Sequence, residues 1–339
     1  MFSETAPQKP TSTDENPEWY SRCCTDLSKI NPSGGRLEGM KAILTKASWM
    51  WDNGRIITVG FVAPIPGTPV QQAKVQEVVK EWEKYANLKF RFIPDGRNAE
   101  IRVSFGEHSG SFSYVGNMAL RIPKPSQTMN LGWVYSTPGI TAEERGVILH
   151  EFGHAIGYLH EHMSPRRGEK LTLNEQVIIE YMRRTQVPPR DEATVRSTIL
   201  NVYNNNDVSN YSAVDITSIM MYFMPADWTL ERIEIPPNYN LSPLDKAFAF
   251  LNYPFPVGTP SSDPDVNIQK ALDTAGVTGD ARENIVLEYN EGDWQGLRAE
   301  FTRWAVNQKA LSDRAQAISQ REQAAVTVAA LAEVEVEAH

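Results

Sequence analysis

Three of the chain's six histidines fall in the run His150-Glu151-Phe152-Gly153-His154-Ala155-Ile156-Gly157-Tyr158-Leu159-His160, spaced H-E-x-x-H-x-x-G-x-x-H. Three neutral imidazoles at that spacing can hold one zinc ion per chain, and the glutamate can serve the water that completes the shell. On a helix, residues four apart share a face, about 6 Å apart along the axis. His150 and His154 therefore point to one side. Glu151 is rotated from His150 by about 100°, so it can face the water without being a ligand. Zinc brings the pKa of such a water towards about 7. Glu151 can then take the proton as the water attacks a peptide carbonyl, and pass it to the leaving amine. An H-E-x-x-H pair alone is often a surface or core histidine pair without a metal, but the full pattern with Gly157 and His160 is much rarer. His162 follows closely, outside the pattern, and reads as a solvated neighbour.

These groups need a helix with defined ends. Thr141 followed by Glu144 fits a capping box. Val147, Ile148 and Phe152 are apolar and can anchor the helix in a core. Gly157 is placed to stop it, because glycine readily takes a left-handed backbone at a helix C-terminus. The chain can then turn back and bring His160 to the metal. Upstream, residues 56–62 alternate and are β-branched, as a strand requires, and residues 70–85 have helical spacing. Residues 88–93 and 100–105 read as further strands, which gives a β-α-β-β order. Residues 109–114 read as a polar, aromatic loop and 128–134 as a short strand.

The extended zinc pattern resembles that of the metzincins, whose second signature is a methionine turn downstream. Ser218-Ile219-Met220-Met221-Tyr222 is a good candidate for that turn. Glu161, directly after the third histidine, and the S-I-M-x-Y form of the turn resemble the astacin family. Trp51-Asp52-Asn53-Gly54-Arg55-Ile56 looks like the start of an astacin-type domain, and Leu241-Ser242-Pro243-Leu244-Asp245 with Leu251-Asn252-Tyr253 looks like its end. The resemblance implies a zinc endopeptidase with an α+β, two-subdomain catalytic domain: a twisted mixed sheet and active-site helix above, a largely irregular part below. It implies His150, His154 and His160 as zinc ligands and Glu151 as general base. It further implies Met220 as the floor beneath the metal, and Tyr222 as a displaceable fifth ligand that swings to the oxyanion. The residue matching Glu161 pairs through water with a freed N-terminus in mature astacins; here an arginine neighbour is the alternative. The substrate would be a protein or peptide bound extended along an edge strand, matched here to residues 128–134. The chain departs from the family in three ways. Met221 stands where family members have a histidine, no cysteine follows residue 24, and no propeptide block is evident. A catalytically silent protein-binding module on a metzincin scaffold is the alternative function, but every expected site residue is in place.

The remaining features set the organisation. The chain has 339 residues and a formal net charge of −9, with no run of 18 apolar residues, so no transmembrane segment is expected. Residues 1–40 read as a flexible leader, 41–255 as the catalytic domain and 256–339 as an acidic helical extension. That extension holds 14 acidic and 7 basic residues, which argues against nucleic-acid binding. Within it, residues 282–336 read as one long helix, whose apolar positions could cover the catalytic domain or meet a partner. Residues 254–262 read as the linker to it. Cys23 and Cys24 are adjacent and are the only cysteines, so no disulfide framework is possible. They read as ordinary free thiols, a thiolate block on the zinc being the rarer alternative. No signal core is evident at the N-terminus, so an intracellular place or unconventional secretion is expected.

Overall fold

The computed structural model describes residues 49–167, 171–185, 189–203, 214–259 and 261–337. The expected leader and both cysteines lie outside these residues. The chain enters through strand β1 (Ile56–Phe61), followed by helix α1 (Pro69–Val78), whose N-terminus is held by a Thr68–Gln71 capping box. A 3-10 turn over Val79–Glu81 separates α1 from the short α2 (Trp82–Tyr85), so the helix expected over 70–85 is interrupted. Strands β2 (Lys89–Phe92), β3 (Ile101–Ser104), β4 (Ser111–Ser113) and β5 (Met129–Leu131) follow.

The sheet order is β2-β1-β3-β5-β4. All pairings are parallel except β4 with β5, where Phe112 lies opposite Asn130. This corrects two expectations. The 109–114 segment contains a strand, and that strand, not the 128–134 segment, forms the edge. β5 is internal, between β3 and β4. The physical reason is that β4 buries Ser111 and Ser113 in place of branched apolar residues, which inverts the usual sequence signal. The Asn130 side chain spans the turn before β4, accepting from Gly106 N (2.8 Å) and donating to the carbonyls of Gly106 (2.8 Å) and Gly110.

Helix α3 (Ala142–Ala155) packs on β4 and β5. Beyond it come α4 (Glu175–Thr185), α5 (Glu192–Val195) and α6 (Pro243–Asn252). The sheet, α1–α3 and α6 share one apolar core, while α4, α5 and the segment around Trp228 and Ile235 form a second, smaller one. The molecule is thus α+β with two subdomains.

The C-terminal part forms α7 (Ile268–Ala275), α8 (Gly279–Glu291) and α9 (Trp294–Glu337). The single helix expected over 282–336 is broken at Gly292, whose φ of +74° ends α8. Leu297, Phe301 and Trp304 join the main core, with Phe301 edge-on to Phe248 of α6 at 5.1 Å. Arg298 donates to the carbonyls of Asn252 (2.7 Å) and Trp51 (3.2 Å) and lies over the Tyr253 ring. The stretch expected as a linker is also fastened, by Tyr289 Oη to Phe255 O (3.0 Å) and Ser261 Oγ to Lys84 O. No helix among the described residues is long and apolar enough to cross a membrane.

Candidate functional site

Helix α3 is fixed at both ends. Thr141 Oγ1 accepts from Glu144 N (3.2 Å) and Glu144 Oε2 accepts from Thr141 N (2.9 Å), completing the capping box. Glu144 Oε1 also accepts from Lys74 Nζ (2.6 Å) and Tyr135 N (2.8 Å), which ties the helix start to α1. Burial alone would raise the Glu144 carboxyl, but Lys74 and the two N–H groups bring it below the ordinary carboxylate range. At the other end, Gly157 takes φ +112°, a conformation other residues rarely adopt. The helix-end carbonyls there accept from side chains: Ala155 O from Trp51 Nε1 (2.8 Å) and Ile156 O from Tyr253 Oη (2.7 Å).

The helix and the following turn bring His150, His154 and His160 together, with their ligand atoms within 4.8 Å of one another. His150 Nδ1 meets Ile219 O at 2.8 Å and His154 Nδ1 meets Tyr158 O at 2.8 Å. A carbonyl can only accept, so both Nδ1 atoms carry the proton and both Nε2 atoms offer a lone pair. The His154 and His160 Nε2 atoms stand 3.1 Å apart. Two nitrogens on a tetrahedral zinc at about 2.05 Å are separated by about 3.3 Å. His150 Nε2 is buried with no hydrogen-bond partner among the described residues. Burial, then the neighbouring His154, pushes the His150 imidazole down to about 3 against the opposing pull of Ile219 O, so the ring is neutral. A neutral imidazole with an orphaned Nε2, beside two others at ligand spacing, fits a zinc ion.

Glu151 is buried on α3, one residue from His150. Met220 is fully buried beneath the helix, its Sδ so close to Gly153 that a Cβ there would lie 2.6 Å away. Two successive carbonyls of the Met220 turn serve the site. Ile219 O holds the His150 ring, and Met220 O accepts from Glu161 N at 3.0 Å, next to His160. The turn is held in turn by Asp245, which accepts from Ser218 Oγ (2.7 Å) and Ile219 N (2.8 Å) while capping α6 through Ser242 N (2.9 Å). Asp245 lies in the motif that marks the domain's end in the sequence, where nothing local signals this hold on a turn 26 residues away.

Two neighbours differ from expectation. His162 is not solvated: it is 0% exposed, and its ring stacks on Tyr222 with centroids 4.1 Å apart. Glu161 pairs with no arginine among the described residues; it accepts from Asp215 N at 2.9 Å. Burial first, then the charges of Asp215 and Asp245, push its carboxyl up to about 8, opposed by the Asp215 N–H. These three acids border a small cavity, of about 20 Å³, with Tyr158 and Ser218. Tyr222 lies edge-on to His160, with centroids 4.5 Å apart, and 6.5 Å from His150.

A zinc-ready trio on a helix and its following turn, above a methionine turn, defines a metallopeptidase-type fold, and the comparisons with known proteins agree. Residues 44–245, more than half of the chain, match the model of the Astacin peptidase family. The chain belongs to the astacin family of zinc metallopeptidases. Astacin-like metalloprotease toxin 5 of Loxosceles gaucho is 30% identical over 129 residues, 38% of this chain and 60% of that protein. Zinc metalloproteinase nas-38 of Caenorhabditis elegans is 29% identical over 124 residues, 37% of this chain but only 15% of that protein. The chain therefore spans less than two thirds of these relatives' length. Among solved structures, myroilysin is similar with a TM-score of 0.56 and 34% identity, covering 62% of this chain and 98% of that one.

Proposed function

We propose that this protein is a zinc-dependent endopeptidase in which His150, His154 and His160 hold one zinc per chain and Glu151 is the general base. The observation that carries the reading is the trio itself: two Nδ1 protons committed to backbone carbonyls, and Nε2 atoms facing inward at ligand spacing. Zinc, when bound, supplies Lewis acidity that acidifies water and polarises a carbonyl.

The chain's own groups do the rest. Glu151 takes the proton of the attacking water and delivers it to the leaving amine. The Tyr222 phenol, beside His160, donates to the substrate carbonyl oxygen as negative charge develops on it. Met220 supports α3 from below, Gly157 lets the chain turn back to present His160, and Glu161 fastens that turn through its backbone N–H. Among the described residues β4 has a partner strand on one side only, so an extended peptide can pair with its other edge. Main-chain pairing beside α3 presents a peptide bond to the site with little dependence on side chains.

Metal content and casein cleavage of the wild type and Glu151→Gln test the reading. Equal zinc with cleavage lost supports it; undiminished cleavage in Glu151→Gln sinks it. A silent binding protein on this scaffold draws no support from the site, because ligands, glutamate and tyrosine are all present.

A further inference from the structure

The fourth histidine of the segment stands outside the ligand trio yet is as buried as any of its members. His162 sits in a 3-10 turn, Glu161–Met163, that is fastened on each side. Glu161 N donates to Met220 O (3.0 Å), Arg167 Nη1 donates to His162 O (3.0 Å), and Tyr203 N donates to Met163 O (2.8 Å). Arg167 is itself fixed by a second bond from Nη2 to Leu200 O at 2.9 Å. The backbone that carries the ring is therefore held in place.

The neighbour in closest ring contact is Tyr222. The two rings lie face to face, 4.1 Å between centroids and 29° between planes, a closer approach than the 4.5 Å between Tyr222 and His160. The phenol ring is thus bounded by a face on one side and by a ligand histidine, edge-on at 61°, on another. Offset-stacked rings hold each other in a preferred plane, and that plane limits how a tyrosine can turn. A side chain that serves as a displaceable donor must return to one place after each turnover. A flat, anchored wall supplies that place, whereas an aliphatic wall would leave the ring free to rock.

We propose that His162 is a positioning residue for Tyr222: its imidazole face is the platform that holds the phenol beside His160 and so at the metal site. The proposal rests on the reading of Tyr222 given above. His162 contributes no ligand atom and no proton transfer to it; it acts through the tyrosine alone.

Full-length protein stripped of metal and reloaded with copper(II) provides the readout, because a phenol oxygen at copper gives a visible phenolate-to-copper charge-transfer band. The variants are Tyr222→Phe, His162→Leu, which removes the flat face, and His162→Phe, which restores one. Tyr222→Phe is expected to lose the band. His162→Leu is expected to keep one copper per chain but lose most of the band. With zinc, its kcat falls roughly threefold to tenfold, the range that one stacked pair supports, while KM stays within about twofold. His162→Phe is expected to retain both band and kcat. A full band and kcat in His162→Leu, beside a lost band in Tyr222→Phe, overturn the proposal alone. An unchanged band in Tyr222→Phe overturns the role of Tyr222 and this proposal with it. Equal losses in His162→Leu and His162→Phe overturn the stacking basis, as does loss of copper stoichiometry in both, which would assign His162 to the ligand shell.

Discussion

Replacing Gly153 by alanine adds one methyl group at the point where α3 rests on the methionine turn. In an ordinary helix interior this change stabilises by roughly 0.5–1 kcal/mol, since glycine has the larger backbone entropy to lose. Here the new Cβ would stand 2.6 Å from Met220 Sδ and 3.2 Å from Trp82 Cζ2. Ordinary contact begins near 3.4 Å, so the sulfur must retreat by at least 3.4 − 2.6 = 0.8 Å. Trp82 offers no relief: it is fully buried and its Nε1 is bonded to Leu149 O at 3.0 Å. Met220 is also fully buried, and its backbone is bonded at both N (to Ser218 Oγ, 3.0 Å) and O (from Glu161 N, 3.0 Å). Over-packing of this kind costs about 1–3 kcal/mol. Against the helix gain, the expected net loss is about 1 kcal/mol. Because Met220 O fastens the turn beside His160, and Ile219 O orients His150, a shifted turn also disturbs the trio. Losing such support typically weakens metal binding by about 10- to 100-fold, and the lower end is expected here because no bond is removed. Urea unfolding of the metal-free protein measures the first effect, and competition for zinc with a chromogenic chelator measures the second. A Gly153→Ala protein that is more stable than wild type by about 0.5–1 kcal/mol, with unchanged zinc affinity, would refute the reasoning, since Met220 would then yield freely.

The other end of the helix gives a related expectation. Gly157→Ala forces a Cβ onto a backbone with φ +112°, a strain of about 1–3 kcal/mol, and should weaken zinc binding in equilibrium dialysis although residue 157 offers no ligand; unaltered affinity would contradict this. Lys74→Met removes the ammonium from Glu144 while both side chains are almost fully buried, at 3% and 2% exposure. The stranded carboxylate keeps two N–H donors, so the loss at pH 7 should sit at the low end for a broken buried pair, about 3 kcal/mol by urea unfolding. Glu144 is held below its ordinary value when folded, so its contribution is complete above the usual carboxylate pKa, about 4.3, and fades as pH falls through the lower folded value. The gap between wild type and Lys74→Met should therefore close in acid, and a gap that is constant with pH would assign the loss to packing alone.

What is legible in the sequence and what is not divides along the distance between partners. The start and end of α3 are local: Thr141 and Glu144 are three residues apart, and Gly157 ends the helix by its own conformation. The zinc trio is likewise a pattern within eleven residues. The Gly292 break between α8 and α9 also has a local signal, a glycine that can take positive φ, outweighed by the helix-forming residues around it. The supports of the site are different in kind. His150 is oriented by a backbone carbonyl 69 residues away, and Asp245 grips the turn from 26 residues away. A carbonyl exists at every residue, so its use as an acceptor leaves no mark on composition or spacing. The edge strand β4 is hidden for a related reason: Ser111 and Ser113 are buried by their place in the sheet, not by their hydrophobicity. His162, a polar residue beside a loop, reads as solvated because nothing near it in the chain signals that Tyr222, 60 residues on, covers it.

The methionine turn is where these long-range ties converge, and this bears on how the site can work. Ile219 and Met220 belong to the core shared with the sheet, while Met221 and Tyr222 belong to the smaller core with α4 and Trp228. The chain thus passes from one subdomain to the other between the residue under the trio and the tyrosine beside it. Met163, shortly after His160, packs in a third small cluster with Trp49, Met118 and Tyr203. A backbone bond, Glu161 N to Met220 O, ties the turn after His160 to the methionine turn. Displacing the turn after His160 against the methionine turn therefore breaks that bond unless both move together. Packed interfaces resist graded deformation, so the Tyr222 ring is bounded by His160 and His162 walls that move as a unit. Under the role proposed for Tyr222, such walls would keep its imidazole neighbours His150, His160 and His162 in place whichever way the phenol rests.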